Sequence, residues 1–528
     1  MIANNFNENY LYKNCTIVEM IEHQSEFIPD KTALIYEDKI LTYSEINEFS
    51  NKISNAILSK DINKKSCVAY LGKETETYYG LLLGCAKSGM ILVPINWRLK
   101  SNEILHILLD SESRLLFVSR DMQELISPIL PQLSLLKEIV WIDGDSGNDS
   151  FDSFIEKAPQ TSPLVKVDAD DILAQMYTSG TTGLPKGVRL KHHAFFEIRT
   201  SLIQNKLNWI DWKYSDICLI GIPGFHIGGL WWAIQVFSSG ATNLSLPFFT
   251  PSGALETILK HKATQICVVP SMLQLLMREM KNTKTEVSSL RRVVYGGSPI
   301  SESLLSKCIE ELGCEFSQIF GLTETGNTAV CLDPQSHLDR KNLKAAGRPY
   351  PCVNLKVINS DGVTLENNKI GEVCIHTPAH MESYWKLSKE TADTLQDGWV
   401  HTGDAGYIDE RGYLFIVDRI KDVIIVAGEN IYPCEVENEI DKNGSVKECA
   451  VIGVPDTDWG ESVVAFVVLE QGTSLSQKEI HNFLRKNLAD FKIPDKFYFV
   501  EKLPRNPSGK ILRRELRNIF WEKNSRNI

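Results

Sequence analysis

The chain has 528 residues, of which 43% are hydrophobic and 23% are charged, and 56 basic against 67 acidic residues give a formal net charge of −11. This length exceeds that of one compact domain, so we expect roughly two to four folding units. The acidic balance excludes the electrostatic footprint of a nucleic-acid-binding protein, and the composition is typical of globular proteins.

Twelve cysteines are scattered singly, without a Cys-x-x-Cys pair or zinc-ligand spacing to histidine. We therefore expect buried, reduced thiols and a cytoplasmic location, and neither terminus shows a sorting signal. The uncharged stretch 217–237 could suggest a membrane span, but Pro223 and several glycines favour a strand, a loop and a buried helix. We expect no transmembrane segment; peripheral membrane contact and a homodimer both stay open.

In the first 350 residues, apolar strand patterns alternate with amphipathic helix patterns. The predicted segments are a hairpin at 29–43 with a following helix to about 60, strands at 67–71, 91–94, 218–220, 265–269 and 293–295, and helices at 77–88, 230–238 and 271–280. A second such strand–helix unit is expected at about 101–142, and the polar residues 143–170 are predicted to form a surface connection. This alternation predicts an α/β fold with doubly wound, largely parallel sheets.

Beyond residue 352 the pattern changes to short alternating strands, at 355–358, 372–375 and 413–417, which predict a small barrel-like subdomain at about 352–418. The last hundred residues predict a small α+β domain. Its strands are expected at 423–426, 451–454 and 463–468, and its helices at 434–441 and 477–488. We therefore predict an N-terminal domain at 1–418, a hinge at 419–422 and a mobile C-terminal domain at 423–528.

Residues 177–188 read Tyr-Thr-Ser-Gly-Thr-Thr-Gly-Leu-Pro-Lys-Gly-Val, between a predicted strand and a helix expected from about His192. Glycines let backbone N–H groups approach an anion, hydroxyl groups add donors, and Lys186 adds positive charge, so the loop suits a polyphosphate. The sequence Gln-Ile-Phe-Gly-Leu-Thr-Glu-Thr-Gly at 318–326 offers an aromatic stacking face and, in Glu324, a hard ligand for Mg²⁺. Residues 295–300, Tyr-Gly-Gly-Ser-Pro-Ile, form a turn after a strand, where parallel sheets bind ligands, and lack the nucleophile-elbow pattern.

Together with Trp-Val-His-Thr-Gly-Asp at 399–404, Asp-Arg-Ile-Lys-Asp at 418–422 and Pro-Arg-Asn-Pro-Ser-Gly-Lys-Ile at 504–511, these stretches resemble the ordered motifs of the adenylate-forming (AMP-binding) superfamily. The residues in these motifs are most similar to those of its acyl-CoA synthetase or fatty-acid–CoA ligase branch, and the resemblance covers about residues 30–520. It implies activation of a carboxylic acid by ATP and Mg²⁺ as acyl-AMP, with release of pyrophosphate, and then transfer to CoA as a thioester.

The resemblance also implies individual roles. The residues implied to bind the phosphates are Thr178, Ser179, Gly180, Thr181, Thr182, Gly183 and Lys186. Those implied to surround the nucleotide are Gly297, Ser298, Pro299, Gln318, Ile319, Phe320, Gly321, Leu322 and Thr323. Asp404, with Arg419, is implied to bind the ribose, and Gly428 and Trp459, with Phe491 and Lys492, are implied to lie toward CoA. Thr178 and Glu324 are the implied metal ligands. Implied catalytic residues are Lys510, Thr323 and Glu324, with His226 as a gate to the acyl site and Lys421 at the hinge. A cation such as Lys510 is physically required, because the attacking carboxylate and the phosphate repel each other.

The substrate is expected to be a simple fatty or aryl acid, since His226 stands where amino-acid-activating relatives carry an acidic residue. The expected acyl pocket consists of His226, Gly228, Trp232, Tyr295, Gly296 and Ile319. CoA is the expected acceptor, because only about 18 residues follow Lys510, too few for a carrier domain. Two alternatives remain: an acyl-AMP ligase that loads a carrier protein, whose usual insertion is not seen, and a catalytically inactive nucleotide-binding regulator.

Overall fold

A computed structural model describes residues 10–144, 147, 149–178, 184–426, 429–456, 459–505 and 511–521. The chain divides into two compact units: a first unit of Met1–Leu355 with Ile375–Val400, and a second unit of Lys356–Cys374 with His401–Ile528. This grouping assigns much of the predicted barrel-like subdomain to the second unit, and the predicted hinge at 419–422 stays a prediction.

The helices and strands alternate along most of the chain. Up to residue 141 they are α1 (Ile17–Phe27), β1 (Thr32–Tyr36), β2 (Lys39–Thr42), α2 (Tyr43–Leu58), β3 (Cys67–Leu71), α3 (Glu76–Ser88), β4 (Ile91–Ile95), α4 (Ser101–Asp110), β5 (Leu115–Val118), α5 (Gln123–Ile126) and β6 (Glu138–Trp141). Up to residue 349 they are α6 (Phe151–Ile155), β7 (Ile172–Thr178), β8 (Lys186–Lys191), α7 (Glu197–Gln204), β9 (Ile217–Ile220), α8 (Ile227–Ser238), β10 (Thr242–Ser245), α9 (Pro251–His261), β11 (Gln265–Val268), α10 (Pro270–Thr283), β12 (Arg292–Gly296), α11 (Glu302–Leu312), β13 (Glu315–Phe320), β14 (Val330–Leu332) and β15 (Arg348–Pro349). The remaining elements are β16 (Asn354–Ile358), β17 (Gly371–His376), β18 (Ser383–Tyr384), α12 (Ser388–Thr394), β19 (Leu395–Gln396), β20 (Trp399–Ile408), β21 (Leu414–Arg419), β22 (Ile424–Val426), β23 (Glu429–Ile431), α13 (Pro433–Ile440), β24 (Val446–Asp456), β25 (Gly460–Leu469), α14 (Gln477–Leu484), β26 (Lys496–Phe499) and α15 (Arg513–Trp521).

The first unit contains two large sheets. One has nine strands in the order β15-β14-β13-β12-β11-β9-β10-β1-β2, and the six adjacent strands from β13 to β1 run parallel to one another. The other has seven strands in the order β18-β8-β7-β4-β3-β5-β6. Each sheet packs against its own hydrophobic cluster, and β3 and β4 are buried along their whole length. Strands buried on both faces read as continuous apolar runs, which is why the sequence predicted them.

The strands of the second unit belong to two five-stranded sheets. The first has the order β16-β17-β20-β19, with β21 pairing β20, and the second has the order β23-β22-β25-β24, with β26 pairing β25. Separate hydrophobic clusters cover the C-terminal sheet, one including residues of α13 and α14 and the other including Leu516 of α15. The predicted α/β class with a small α+β C-terminal part is therefore confirmed.

The differences from the predicted elements are local. The loop at 177–188 joins two antiparallel strands, β7 and β8, and the helix expected from His192 begins at Glu197 after a short 3-10 turn. The predicted surface connection contains α6, and the helix predicted for 477–488 ends at Leu484. The stretch 217–237 forms β9, a loop and α8, as predicted. Within the described ranges, none of the helices combines the length and apolar character that a bilayer span requires.

Candidate active site

The glycine- and hydroxyl-rich stretch begins in β7 and ends in β8, which pair antiparallel. Thr178 and Lys186 are cross-strand partners at the last position of the ladder, so both residues flank the loop that they close. The predicted phosphate-binding residues Ser179, Gly180, Thr181, Thr182 and Gly183 lie outside the described residues. Nε2 of His106, on α4, lies 3.0 Å from the carbonyl oxygen of Pro185, the residue before Lys186.

Beside this hairpin, the oppositely charged side chains of Lys186 and Glu324 both contact Tyr384. The hydroxyl of Tyr384 donates a hydrogen bond to Oε1 of Glu324 at 2.6 Å. The ammonium group of Lys186 lies 5.3 Å from the centroid of the Tyr384 ring, within the range of a cation–π contact. Tyr384 reaches this position because β18 pairs antiparallel with β8, opposite Val188. The structure thus brings the predicted residues Lys186 and Glu324 to two sides of one tyrosine.

Glu324 and Thr323 stand on a 3-10 turn, Thr323–Thr325, that follows β13. The backbone carbonyl of Glu324 accepts a hydrogen bond from the N–H of Met381 at 2.8 Å, which fixes the turn against the segment leading into β18. Among the described residues, Oε2 of Glu324 has no hydrogen-bond partner. A half-buried carboxylate with one oxygen held and the other available is suited to bind a hard cation such as Mg²⁺.

Two neighbouring parallel strands deliver the other predicted nucleotide-binding residues of the first unit. Strands β12 and β13 pair in register, with Tyr295 opposite Gln318 and Gly296 opposite Ile319. The exposed turn 297–299 and the segment 320–322 therefore both leave the carboxyl ends of adjacent strands, where open parallel sheets bind ligands. This brings together the candidates Gly297, Ser298, Pro299, Gln318, Ile319, Phe320, Gly321 and Leu322.

The loop before α8 carries His226, the predicted gate. Its Nε2 atom is shielded from solvent and has no hydrogen-bond partner within the described residues. Burial, with a smaller contribution from Arg98, lowers the pKa of His226 to about 4, so the imidazole is neutral at physiological pH. The Phe225 ring packs against it with centroids 4.6 Å apart.

The same loop is clamped by two residues that sequence reasoning did not single out. The N–H of Gly224 donates to Oε1 of Glu74, and the carbonyl of Gly224 accepts from the hydroxyl of Tyr78 at 2.8 Å. A Cβ atom at Gly224 would lie 2.5 Å from the Tyr78 ring, so the close approach requires glycine. Glu74 is only 6% exposed, and burial raises its pKa to about 8, against the lowering effects of the Gly224 N–H and of Arg98.

The residues expected to line the acyl pocket differ in their surroundings. Trp232 is completely buried and packs against Trp212 and Trp231 at centroid distances of 5.5 and 6.2 Å, which makes it part of the core around α8. Tyr295 is equally buried, and its hydroxyl donates to Oε1 of Gln318 at 3.1 Å. Both residues thus have firm structural roles, and their part in binding an acid stays a prediction.

In the second unit, Asp404 and Arg419 form the pair predicted to hold the ribose. They are cross-strand partners on β20 and β21, and Nε of Arg419 lies 2.7 Å from Oδ1 of Asp404. A second guanidinium nitrogen of Arg419 donates to the carbonyl of Thr402 at 3.1 Å, and the Thr402 hydroxyl accepts from the N–H of Asp404 at 3.0 Å. The carboxylate of Asp404 is therefore buried, oriented and charge-paired.

Lys421 lies on the exposed 3-10 turn Ile420–Asp422 that follows β21. Arg517 of α15 donates to the carbonyl of Lys421 at 3.3 Å and forms an ion pair with Asp422 at 2.9 Å, so the C-terminal helix secures this turn. The remaining predicted residues of the second unit, Lys510 and Gly428, lie outside the described residues.

The residues predicted to contact CoA lie on the surface of the second unit. Trp459 is 60% exposed and Phe491 is 46% exposed. Lys492 lies 5.9 Å from the Phe491 ring centroid, but its ammonium group donates to both carboxylate oxygens of Glu435, at 2.7 and 2.9 Å. The ammonium group of Lys492, a residue implied to lie toward CoA, is thus engaged by a neighbouring carboxylate.

Comparison with known proteins agrees with these motifs. The family AMP-binding enzyme matches residues 21–385, and the AMP-binding enzyme C-terminal domain matches residues 435–510. The chain is 48% identical to the fatty acid–[acyl-carrier-protein] ligase ScoC of Streptomyces coeruleorubidus over 97% of this chain and 98% of that protein. It is 34% identical to the long-chain-fatty-acid–CoA ligase FadD13 of Mycobacterium tuberculosis, over 92% of this chain and 94% of that one. The crystal structure of the anthranilate CoA ligase AuaEII in complex with anthranoyl-AMP superposes with a TM-score of 0.88 at 27% identity, covering 98% of this chain and 99% of that one. The chain therefore belongs to the AMP-binding enzyme family of adenylate-forming acid ligases.

Proposed function

We propose that the protein activates a fatty acid with ATP as acyl-AMP and then transfers the acyl group to the phosphopantetheine thiol of an acyl carrier protein. The observation that carries this choice of acceptor is the 48% identity, over nearly the full length of both chains, to a protein described as a fatty acid–[acyl-carrier-protein] ligase. The expectation of CoA as acceptor becomes the second candidate.

In the first step, an oxygen of the substrate carboxylate attacks the α-phosphorus of ATP, a P–O bond forms, and the bond to pyrophosphate breaks. In our proposal Lys186 and Thr178, at the two ends of the loop, hold the β- and γ-phosphates. Positioned cations and backbone donors are the main source of catalysis in such a displacement. Lys510 is proposed to bridge the carboxylate and the α-phosphate.

Glu324 and Thr178 would hold Mg²⁺, which supplies positive charge to offset the charge on the leaving pyrophosphate. Tyr384 supports this arrangement because its hydroxyl fixes Oε1 of Glu324 and its ring faces the Lys186 ammonium group. The Asp404 carboxylate, oriented by Arg419, is proposed to accept hydrogen bonds from the ribose hydroxyl groups.

In the second step, the thiol sulfur attacks the acyl carbonyl carbon, the C–S bond forms, and AMP leaves with the oxygen that joined it to the acyl group. We propose that His226 gates the acyl site, because its neutral imidazole stands on a loop before α8 and its Nε2 has no polar partner among the described residues. Lys421 and the turn around it are proposed to act as the hinge for the change between the two steps.

The contacts of Lys492 also support a carrier protein. CoA carries phosphate groups that a free lysine would bind, whereas here Glu435 accepts two hydrogen bonds from the Lys492 ammonium group. The CoA alternative is favoured by the exposed aromatic residues Trp459 and Phe491, which could stack on an adenine, and by the 34% identity to a fatty-acid–CoA ligase.

The test is pyrophosphate release with ATP and Mg²⁺ across acids from acetate to palmitate, with benzoate and coumarate added. Each acid is assayed with CoA, with holo acyl carrier protein, with apo acyl carrier protein and without acceptor. We expect a fatty-acid window and formation of acylated carrier protein, detected by intact mass, with the holo form only. Turnover with CoA but not with the holo carrier would overturn the proposed acceptor, and silence with every acid would overturn the enzyme assignment.

A matched pair of lysine variants tests the phosphate-binding role. Lys186→Ala should abolish most of the adenylation rate, whereas Lys191→Ala, at the other end of the same strand, should leave it near the parent rate. Lys191 provides a suitable control because it pairs with Asp170 at 2.9 Å. Equal losses in both variants would show that the hairpin, rather than the Lys186 charge, is what matters.

A further inference from the structure

Three side chains with metal-ligating atoms meet on adjacent strands of the second unit. Glu372 and Cys374 stand on β17, and His401 stands on β20, the next strand of the same sheet. Sγ of Cys374 lies 3.7 Å from Nδ1 of His401, and Oε2 of Glu372 lies 3.1 Å from that same nitrogen. One ligand atom from each residue lies within 4.8 Å of the other two.

The arrangement differs from a catalytic triad. In a nucleophile–histidine–carboxylate relay the two partners bind different ring nitrogens, so that a proton can pass through the imidazole. Here the thiol and the carboxylate both face Nδ1 of His401. One nitrogen cannot relay between them, whereas three donor atoms directed at a common region can share one ion.

The spacing suits a tetrahedral centre. Zinc–sulfur and zinc–nitrogen bonds of about 2.3 and 2.05 Å, meeting at a tetrahedral angle, separate the two ligand atoms by about 3.6 Å. The observed separation of Sγ and Nδ1 is 3.7 Å. For nitrogen and carboxylate oxygen the same geometry gives about 3.4 Å, against 3.1 Å here. These two separations therefore lie within a few tenths of an ångström of those that a shared ion requires, and the third pair, Sγ of Cys374 with a Glu372 oxygen, lies within 4.8 Å.

The surroundings orient the ligands and leave a path to solvent. The N–H of Gly403 donates to Oε1 of Glu372 at 3.1 Å, so the other oxygen, Oε2, is directed at His401. Outer hydrogen bonds of this kind fix ligating carboxylates in metal sites. Cys374 is fully buried, while the side chains of His401 and Glu372 are 18% and 24% exposed. Lys356 adds one positive charge near Cys374, which the carboxylate and a thiolate together outweigh.

We propose that Glu372, Cys374 and His401 form a binding site for a zinc-like divalent transition-metal ion, with a fourth position open to water or a small ligand. Mixed sulfur, nitrogen and oxygen ligands favour zinc and its neighbours over Mg²⁺. The ion would join β17 to β20 three residues before Asp404, and it would be separate from the proposed Mg²⁺ ligands Thr178 and Glu324. The site does not depend on the proposed acid or acceptor.

Cobalt(II) is the probe, because a cobalt–thiolate bond has a charge-transfer absorption that other ligands do not give. The full-length protein, reduced and freed of metal with a chelator that is then removed, is titrated with Co²⁺ under anaerobic conditions. We expect the thiolate band to saturate at one equivalent, together with the intense visible bands of a four-coordinate ion. Zn²⁺ added in equal amount should bleach both sets of bands.

Variants assign the band to this cluster. Cys374→Ser should remove the charge-transfer band, whereas Cys314→Ser, at a half-buried thiol in the first unit, should retain it. Glu372→Gln provides a second test that preserves an acceptor for the Gly403 N–H but removes the anionic ligand, and it should weaken Co²⁺ binding at least tenfold. Absence of any thiolate band in the parent protein, or a band unchanged in Cys374→Ser, would overturn the proposal; unchanged affinity in Glu372→Gln would remove the carboxylate from the site.

Discussion

Replacing Glu74 with glutamine should remove a pH dependence from the stability of the first unit. Glu74 is buried, accepts the N–H of Gly224, and has its pKa raised from 4.5 to about 8. Between these two values the unfolded chain releases the proton while the folded chain keeps it. The contribution of Glu74 to the free energy of unfolding therefore falls as the pH rises from 4.5 toward 8, and this contribution is highest below the unfolded pKa.

The size of the effect follows from the shift. One unit of pKa corresponds to about 1.4 kcal/mol, so a change from about pH 5.5 to about pH 8 should cost the parent protein about 3 kcal/mol through Glu74 alone. In the Glu74→Gln variant the neutral side chain can still accept the Gly224 N–H through its amide oxygen. We therefore expect this variant to equal or exceed the parent in stability at pH 8. The stability of the variant minus that of the parent should be about 3 kcal/mol more positive at pH 8 than at pH 5.5.

The assay is urea unfolding at both pH values, followed by tryptophan fluorescence. All tryptophans except Trp459 and Trp521 belong to the first unit, so the signal reports mainly on it. Glu76→Gln is the matched control, because Glu76 forms an ion pair with the exposed Lys39, and surface pairs of this kind contribute about 0–1 kcal/mol. If the difference between parent and Glu74→Gln were the same at both pH values, the buried, protonated state of Glu74 would be refuted.

Three further outcomes are expected. Tyr384→Phe should lower kcat/KM for ATP about tenfold, since a hydrogen bond to a charged group contributes about 1.5 kcal/mol or more. Pyrophosphate release at varied ATP concentration measures kcat/KM, and an unchanged value would contradict the role of the hydroxyl. Asp404→Asn should raise KM for ATP because it removes the charge that Arg419 orients, and an unaltered ATP dependence would argue against the ribose contact. Burial lowers the pKa of His192 to about 4, so stability should fall as the pH drops from about 6.5 toward 4; this acid sensitivity, followed by thermal melting, should be smaller in His192→Asn, and equal sensitivity would exclude His192 as its source.

The sheets were predictable because the strands that form their centres are buried along their length. Residues 67–71 and 91–95 read as unbroken apolar runs for this reason. Strand β8 was missed because its signal is weaker: Val188 and Leu190 are buried, with the half-buried Arg189 between them, within a segment bounded by lysines. Such an alternation with a period of two is typical of a strand that is buried on one face. Because residues 186–191 form a strand, the loop at 177–188 joins two strands.

The candidate site was predictable only where the residues lie within local motifs. The predicted residues Thr178, Lys186, Glu324 and Asp404 belong to short sequence motifs that by themselves indicate a binding role. Glu74 instead acquires its importance from Gly224, far along the chain, and only tertiary packing brings them together. The cluster of Glu372, Cys374 and His401 escaped for the same reason, since strand pairing rather than sequence spacing joins its members.

The two-residue strand β18 has a consequence for how the enzyme is made. It pairs with the edge of β8 and carries Tyr384, so Lys186 and Glu324 acquire their common partner only after residue 384 has been synthesised. Contacts between segments this far apart close large loops and form late in folding. A nascent chain that extends past Glu324 but ends before residue 384 would therefore still lack the tyrosine that Lys186 and Glu324 both contact.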